Sequence, residues 1–293
     1  MSAIFIIGCG DVGSHLAQRL MQNNRSVVAL ARSSASAARL LAQGITPHRG
    51  DLDHPATLHS LPGAGALLYY LAPPPDQGRS DNRMRHFVAA LDAAPPPRQI
   101  VYLSTSGVYG DSAGAWVTEE SPVNPQAERA HRRVDAETVL ARWCAAHRVP
   151  LTILRVAGIY GPGRLPVSRL ERGVPVLREE ECGYTNRIHL EDLVTICLAA
   201  EQQTTGVEIY NVSDGHPGTM TGYFTAVADA LGMPRPEALT LEQARQQLSP
   251  AMLSYLCESR RLDNHKLLQG LGVTLRYPDL AAGLEAITAS GAG

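Results

Sequence analysis

An α/β fold, a Rossmann-type doubly wound parallel sheet with a small, mainly helical C-terminal substrate lobe, is the architecture this sequence predicts. Three observations predict it. Ile4-Phe5-Ile6-Ile7 runs as an apolar strand straight into Gly8-x-Gly10-x-x-Gly13. Short β-rich runs alternate with helical patterns through the first half, as strands joined by crossover helices require. After about residue 157 that alternation stops, and residues 218–293 read as mainly helical.

The elements follow in order. Strands are expected over 4–7, 26–31, 67–71, 99–104 and 151–156, with a weaker one over 45–48. Helices are expected over 12–22, 35–43, 82–91 and 126–147, the last entered after Pro122 and Pro125, which suit a helix start. Asn24 and the proline runs at 73–75 and 95–97 mark turns. Residues 158–182 read as loop with one short helix, 190–201 as a helix, 208–211 as a short strand and 271–277 as extended. The domain reading is a dinucleotide-binding domain over 1–157, its sheet completed by about 188–214, with a substrate lobe from 158–187 and 215–293.

Composition narrows the function classes. A chain of 293 residues, 44% apolar and 18% charged, has ample core for a globular enzyme or binding protein. A net charge of −2 supplies no bulk attraction to nucleic acid or anionic membranes, so neither is an expected partner. Cys9, Cys144, Cys182, Cys197 and Cys257 form no C-x-x-C pair, and the ten histidines form no ligand-spaced pair, so no metal is assigned. The scattered cysteines suit a reducing cytoplasm. The apolar run at 3–7 is too short and lacks the basic flank of a signal peptide.

The glycine run carries the cofactor reading. Gly8 permits a tight turn, Gly10 lets a pyrophosphate approach backbone, and Gly13 lets the following helix pack close. The helix starting near Asp11 and Val12 turns its positive end to the phosphates. In NAD-binding members of this fold an acidic residue closes the second strand. Here Ala31 holds that place and Arg32-Ser33 follow. A guanidinium there suits a 2′-phosphate, so NADP is expected and NAD is the alternative. Asp51 and Leu52 follow the third strand and Ala72 the fourth, where they would contact the cofactor. Asp51 reads equally well as a turn residue capping the next segment.

Later segments resemble the extended short-chain dehydrogenase/reductase superfamily, in its NAD-dependent epimerase/dehydratase branch. They are Leu103-Ser104-Thr105-Ser106-Gly107-Val108-Tyr109-Gly110, Leu154-Arg155, Ile159-Tyr160-Gly161-Pro162-Gly163-Arg164, Arg187-Ile188-His189-Leu190-Glu191-Asp192-Leu193 and Tyr210-Asn211-Val212. They occur in the family's order. The tail, from Glu258-Ser259-Arg260-Arg261 to Leu275-Arg276-Tyr277-Pro278, is similar to that of the atypical YeeZ-like subgroup. The resemblance implies a nicotinamide cofactor, Thr105 at the catalytic Ser/Thr position and Tyr109 as a packing residue. It also implies pairing through the long helix as a homodimer.

The family's Y-x-x-x-K dyad is replaced. Aligning Val134-Asp135-Ala136-Glu137 with the family pattern puts Arg129 at the tyrosine position and Arg133 at the lysine position. Arginine does not deprotonate in proteins, so Arg129 cannot shuttle the proton; Arg133 can still hold the ribose or a phosphate. His131, Tyr160, Tyr184 and His189 are weighed as substitutes, with packing or a solvated face as the rival role of each. Tyr160, Tyr184 and Arg187 are candidates for the substrate side. Glu179-Glu180-Glu181 reads as a solvated loop and Arg260-Arg261 as salt-bridging residues. Three functions follow: an NADP-dependent oxidoreductase or epimerase-like enzyme on an unknown small carbonyl or alcohol, a non-catalytic NADP(H) sensor or scaffold, and a nucleotide-sugar epimerase or dehydratase.

Overall fold

The structure, a computed structural model, describes residues 3–247 and 258–291. Cys257 of the sequence reading lies outside them. The chain divides into two compact units, one of Met1–Val108, Glu128–Arg155 and Val194–Tyr210, the other of Tyr109–Ala127, Val156–Leu193 and Asn211–Gly293.

Strands β1 (Ile4–Ile7), β2 (Val27–Ala31), β3 (Thr46–Arg49), β4 (Leu67–Tyr70) and β5 (Gln99–Thr105) build most of the first unit's sheet. In the second unit β6 (Trp116–Val117) follows; β7 (Leu151–Val156) and, much later, β12 (Val207–Val212) complete the large sheet. The order is β12-β7-β5-β4-β1-β2-β3, with β1 parallel to both β2 and β4. Strand order therefore reverses between β1 and β4, the switch point outside whose carboxyl ends ligands bind in open α/β sheets. β1, β4 and β7 are buried along their whole length, which is why they read as unbroken apolar runs. Edge strand β3 reads Thr-Pro-His-Arg and is partly exposed; Pro47 is tolerated because an edge spares one row of donors.

Helices α1 (Asp11–Gln22), α2 (Ser34–Ala42), α3 (Asn82–Leu91) and α4 (Glu128–His147) flank the sheet. A buried ion pair fastens α4 to it: Arg155 Nη2 of β7 donates to Glu137 Oε2 at 2.8 Å, and Ser104 of β5 donates to Oε1. Phe5, Tyr70, Phe87, Tyr102, Leu140 and Ile153 belong to the core between these layers.

Among the described residues the second unit holds four two-stranded pairings. β6 pairs with β15 (Arg261–Leu262), and β8 (Gly158–Tyr160) with β11 (Arg187–His189). β9 (Val176–Leu177) pairs with β14 (Ala238–Leu239), and β10 (Tyr184–Thr185) with β13 (Gly218–Thr219). Helices Val167–Glu171, Met220–Leu231, Leu241–Gln247, His265–Leu271 and Leu280–Ala289 accompany them, and Phe224, Val227 and Ile287 are buried in this unit's core. Pairings two or three residues long leave no periodic signature, so the sequence read much of this region as loop. Residues 272–277 form no strand: Leu271 ends a helix, and Gly272 caps it at φ +60°.

Candidate functional site

Each glycine of the turn after β1 has a separate steric reason. Gly8 has φ +95°, and a Cβ there would lie 2.4 Å from Ala72 N, so no other residue fits where the turn crosses the end of β4. A Cβ on Gly13 would meet the Gly8 carbonyl oxygen at 2.7 Å, which is the close packing of α1 onto the turn. Gly10 differs: a Cβ there meets nothing within 4 Å. Its missing side chain leaves open space beside exposed backbone. Gly10 is also the N-cap of α1 and provides no side-chain cap, at the positive end of the helix where an anion is favoured.

A cleft of about 370 Å³ opens over this turn in the first unit. Of the residues expected at a cofactor, Gly8, Gly10, Arg32, Ser33, Asp51, Leu52 and Ala72 line it. Asp11, Val12, Gly13 and Arg133 are not among its lining residues. Asp11 is exposed beside His15 at 3.4 Å. Ala31 is fully buried, so the position of the absent acidic residue holds only a methyl group. Arg32 is exposed on the cleft wall. Ser33 is committed to α2, accepting from Ser36 N–H at 3.1 Å in a reciprocal capping box. Asp51 accepts from Asp53 N–H at 3.0 Å and lies 3.1 Å from His54 Nδ1, so its carboxylate serves its own turn.

Residues that the sequence reading passed over complete the wall. Arg39 of α2 donates from Nη2 to the Cys9 carbonyl oxygen at 2.8 Å and from Nη1 to Ser14 Oγ at 3.3 Å. Arg83 grips Asp53 through two bonds of 2.7 Å, and the guanidinium holds that carboxyl below its usual range. The signal for Arg39 was present in its spacing, since Ser36 and Arg39 stand three apart and share one face of α2.

Thr105 ends β5, half-buried, and its Oγ1 accepts from Gly107 N–H at 3.2 Å; the hydroxyl proton is left to donate elsewhere. Arg129 is exposed in the first turn of α4. Arg133, one turn on, donates from Nη1 to the Leu103 carbonyl oxygen at 3.1 Å and to the Tyr102 phenol oxygen at 3.2 Å. Burial pushes the Tyr102 phenol up to about 12, with Arg133 pulling the other way.

In the second unit the substrate-side candidates divide. Tyr160 is fully buried, donates to the Asp279 carbonyl oxygen at 3.1 Å, and packs so tightly on Gly283 that a Cβ there would lie 2.2 Å from its hydroxyl. That is a core residue, and desolvation raises its pKa. Arg187 is likewise buried, donating to the Asn186 carbonyl oxygen at 2.9 Å with its guanidinium 4.3 Å over the Tyr223 ring. Both are buried within this unit. Tyr184 remains 41% exposed, against the guanidinium of Arg261.

Among the other residues weighed, His189 packs between Tyr160 and Tyr277, and burial lowers its pKa. Tyr109 donates to Asn211 Oδ1 at 2.7 Å inside the second unit. The acidic run is not merely solvated: Glu179 accepts from Thr219 Oγ1 at 2.9 Å and Glu181 from Leu241 N–H at 3.1 Å. Arg260 pairs with Glu258 at 2.9 Å. Among the described residues no helix is long and apolar enough to cross a membrane, and no group of three or more His, Cys, Asp or Glu could hold a metal ion.

Comparison with known proteins agrees with this geometry. Residues 4–213 match the model of the NAD dependent epimerase/dehydratase family. The chain is 29% identical to Protein YeeZ of Escherichia coli K12, over 95% of this chain and 97% of YeeZ. A functionally unknown conserved protein from Silicibacter pomeroyi superposes with a TM-score of 0.81 at 29% identity, covering 100% of both chains. A UDP-glucuronic acid 4-epimerase from Bacillus cereus, solved in complex with NAD, shares the fold with a TM-score of 0.75 at 17% identity, over 98% of this chain and 96% of that one.

Proposed function

This chain belongs to the NAD dependent epimerase/dehydratase family, and within it we propose that it is an NADP(H)-binding oxidoreductase or epimerase-like enzyme acting on a small carbonyl or alcohol. Binding of a nicotinamide dinucleotide comes with the family. The phosphorylated form is the finer reading, and one observation carries it: the buried methyl of Ala31 stands where a carboxylate would repel a 2′-phosphate, with Arg32 exposed on the adjoining wall.

The residues present fit such a cofactor. The open space at Gly10 admits a pyrophosphate against the backbone, and the start of α1 has no side-chain cap from its N-cap residue. A nicotinamide dinucleotide held there would supply the hydride chemistry. The Thr105 hydroxyl donates a hydrogen bond to the substrate oxygen and polarises it. Arg133 fixes the end of β5 through Leu103 and keeps further N–H donors for a ribose or phosphate oxygen. No phenol or amine stands at the family's dyad positions, so the proton reaches the substrate oxygen from water. Losing a positioned general acid costs about 10²–10⁴ in rate, so turnover is slow.

A non-catalytic NADP(H) sensor is the second reading, favoured by the arginines at both dyad positions. A full nucleotide-sugar epimerase or dehydratase is the third, and the same replacement weighs against it. Fluorescence titration with NADPH and NADH tests the cofactor reading; equal affinities would remove the role given to Arg32. NADPH oxidation across a panel of aldehydes and ketones then separates enzyme from sensor, since tight binding without any oxidation supports the sensor.

A further inference from the structure

We propose that Trp116, Arg261 and Tyr184 of the second unit form a contact surface for a second copy of this chain, paired about a two-fold axis so that Arg261 of each copy meets Glu120 of the other. The inference concerns assembly and is independent of the cofactor reading.

Three separate segments build the surface. β6 and β15 pair in parallel with Arg261 in register with Trp116, and Arg261 N–H donates to the Ala115 carbonyl oxygen at 2.9 Å. On the other side of β15, Arg260 N–H donates to the Tyr184 carbonyl oxygen at 3.2 Å. Val117 and Leu262 are buried, so alternation along each strand turns Trp116 and Arg261 to the opposite, outer face. There the Arg261 guanidinium lies 5.3 Å from the Trp116 ring centroid and 5.0 Å from that of Tyr184. Its Nε donates to the Gly114 carbonyl oxygen at 2.7 Å, which holds the guanidinium beside both rings.

Composition and charge point to a protein face. Trp116 is 50% exposed and Tyr184 41%; with Val123 they make three of the five large apolar side chains exposed among the described residues. Exposed Trp, Tyr and Arg in one place are the residue types that dominate protein interfaces. The long helix α4, where the family resemblance places pairing, exposes no large apolar side chain. Among the described residues Arg261 has no ion-pair partner, and neither has Glu120. Glu120 is exposed in the tight turn that follows β6, closed by Ser121 N–H donating to the Thr118 carbonyl oxygen at 3.1 Å. An unpaired cation and an unpaired carboxylate on one small apolar face are complementary to the same face rotated by half a turn.

A stack that only steadied β15 would behave differently: its loss would lower the melting temperature and leave association unchanged.

The test is sedimentation velocity of the full-length protein over a roughly hundredfold range of concentration reaching about 100 μM. The wild type is expected to pass from monomer to dimer, because a patch of this size lies at the weak end of specific interfaces. Trp116→Ala weakens the dimer about tenfold or more. Arg261→Glu and Glu120→Arg each set like charges against one another twice and leave monomers, while the double variant Arg261→Glu with Glu120→Arg pairs again. Rescue in the double variant also guards against a folding artefact in either single one. A wild type that stays monomeric throughout overturns the inference. So does a dimer that persists in both single variants, which puts the contact on another face, and so does a double variant that fails to re-associate.

Discussion

The Arg133 guanidinium donates to the Leu103 carbonyl oxygen at 3.1 Å, fastening α4 to the C-terminal end of β5 at the position that the proposed reading assigns to the family's lysine. The cation at this position is therefore kept in charge but not in chemistry. A guanidinium can hold an oxygen atom, whereas it cannot exchange a proton near neutral pH or lower the pKa of a neighbouring tyrosine that is absent.

Restoring the dyad is the direct check on that statement. The double variant Arg129→Tyr with Arg133→Lys places a phenol and an amine at the family spacing on α4. NADPH oxidation with the best aldehyde or ketone of a panel is expected to rise by about 10²-fold, the lower end of what a general acid supplies. Arg133→Lys alone should give no gain, since the proton donor is still missing. Equal rates for the double variant and the wild type would mean that another group already supplies the proton.

Two glycines of the turn, Gly8 and Gly10, should separate cleanly on substitution. Gly8→Ala forces a Cβ to 2.4 Å from Ala72 N at φ +95°, and should cost at least about 3 kcal/mol by denaturant titration. Gly10→Ala meets nothing within 4 Å, so its melting temperature should match the wild type while NADPH binding weakens about tenfold or more. A Gly10→Ala variant that binds NADPH normally would show that no ligand approaches the backbone there.

Glu137 and Arg155 form a buried ion pair at 2.8 Å, both less than one-tenth exposed. Glu137→Ala takes the carboxylate away from a buried guanidinium and should cost about 3–5 kcal/mol in a urea titration. The exposed pair of Asp229 and Arg235 offers the contrast, and Asp229→Ala should leave the melting temperature unchanged. A Glu137→Ala protein as stable as the wild type would contradict the fastening of α4 to β7.

Asp214 titrates in a useful range. Burial pushes its carboxyl up to about 6, against partial relief from the His216 N–H and Arg187. The folded-state value lies above the unfolded one, so the group costs nothing below about pH 3.8, and the cost grows as pH rises through the folded value. Asp214→Asn is therefore expected to stabilise on the order of 3 kcal/mol at pH 7.5 and only about 1 kcal/mol at pH 4.5. Unfolding titrations at the two pH values check this, and an equal effect at both would rule it out.

The large sheet was legible because its cause is local. β1, β4 and β7 are unbroken apolar runs, and the spacing of Gly8, Gly10 and Gly13 states a turn whose geometry involves only a few residues and one neighbouring strand. The paired pieces of the second unit were not, since two-residue strands such as Trp116–Val117 and Arg261–Leu262 exist only where each finds the other.

What the amino-acid order determined by itself was the doubly wound class, the glycine turn and the methyl group of Ala31 at the end of the second strand. Tertiary structure alone decided which polar residues are buried and which line the cleft. Tyr160 and Arg187 look available in sequence yet are buried, while Arg39 looks like an ordinary helix-surface cation and stands on the cleft wall. The physical reason is that a residue's type and spacing fix its chemistry, but whether its polar atoms meet solvent, a ligand or another residue depends on what packs against it from distant parts of the chain.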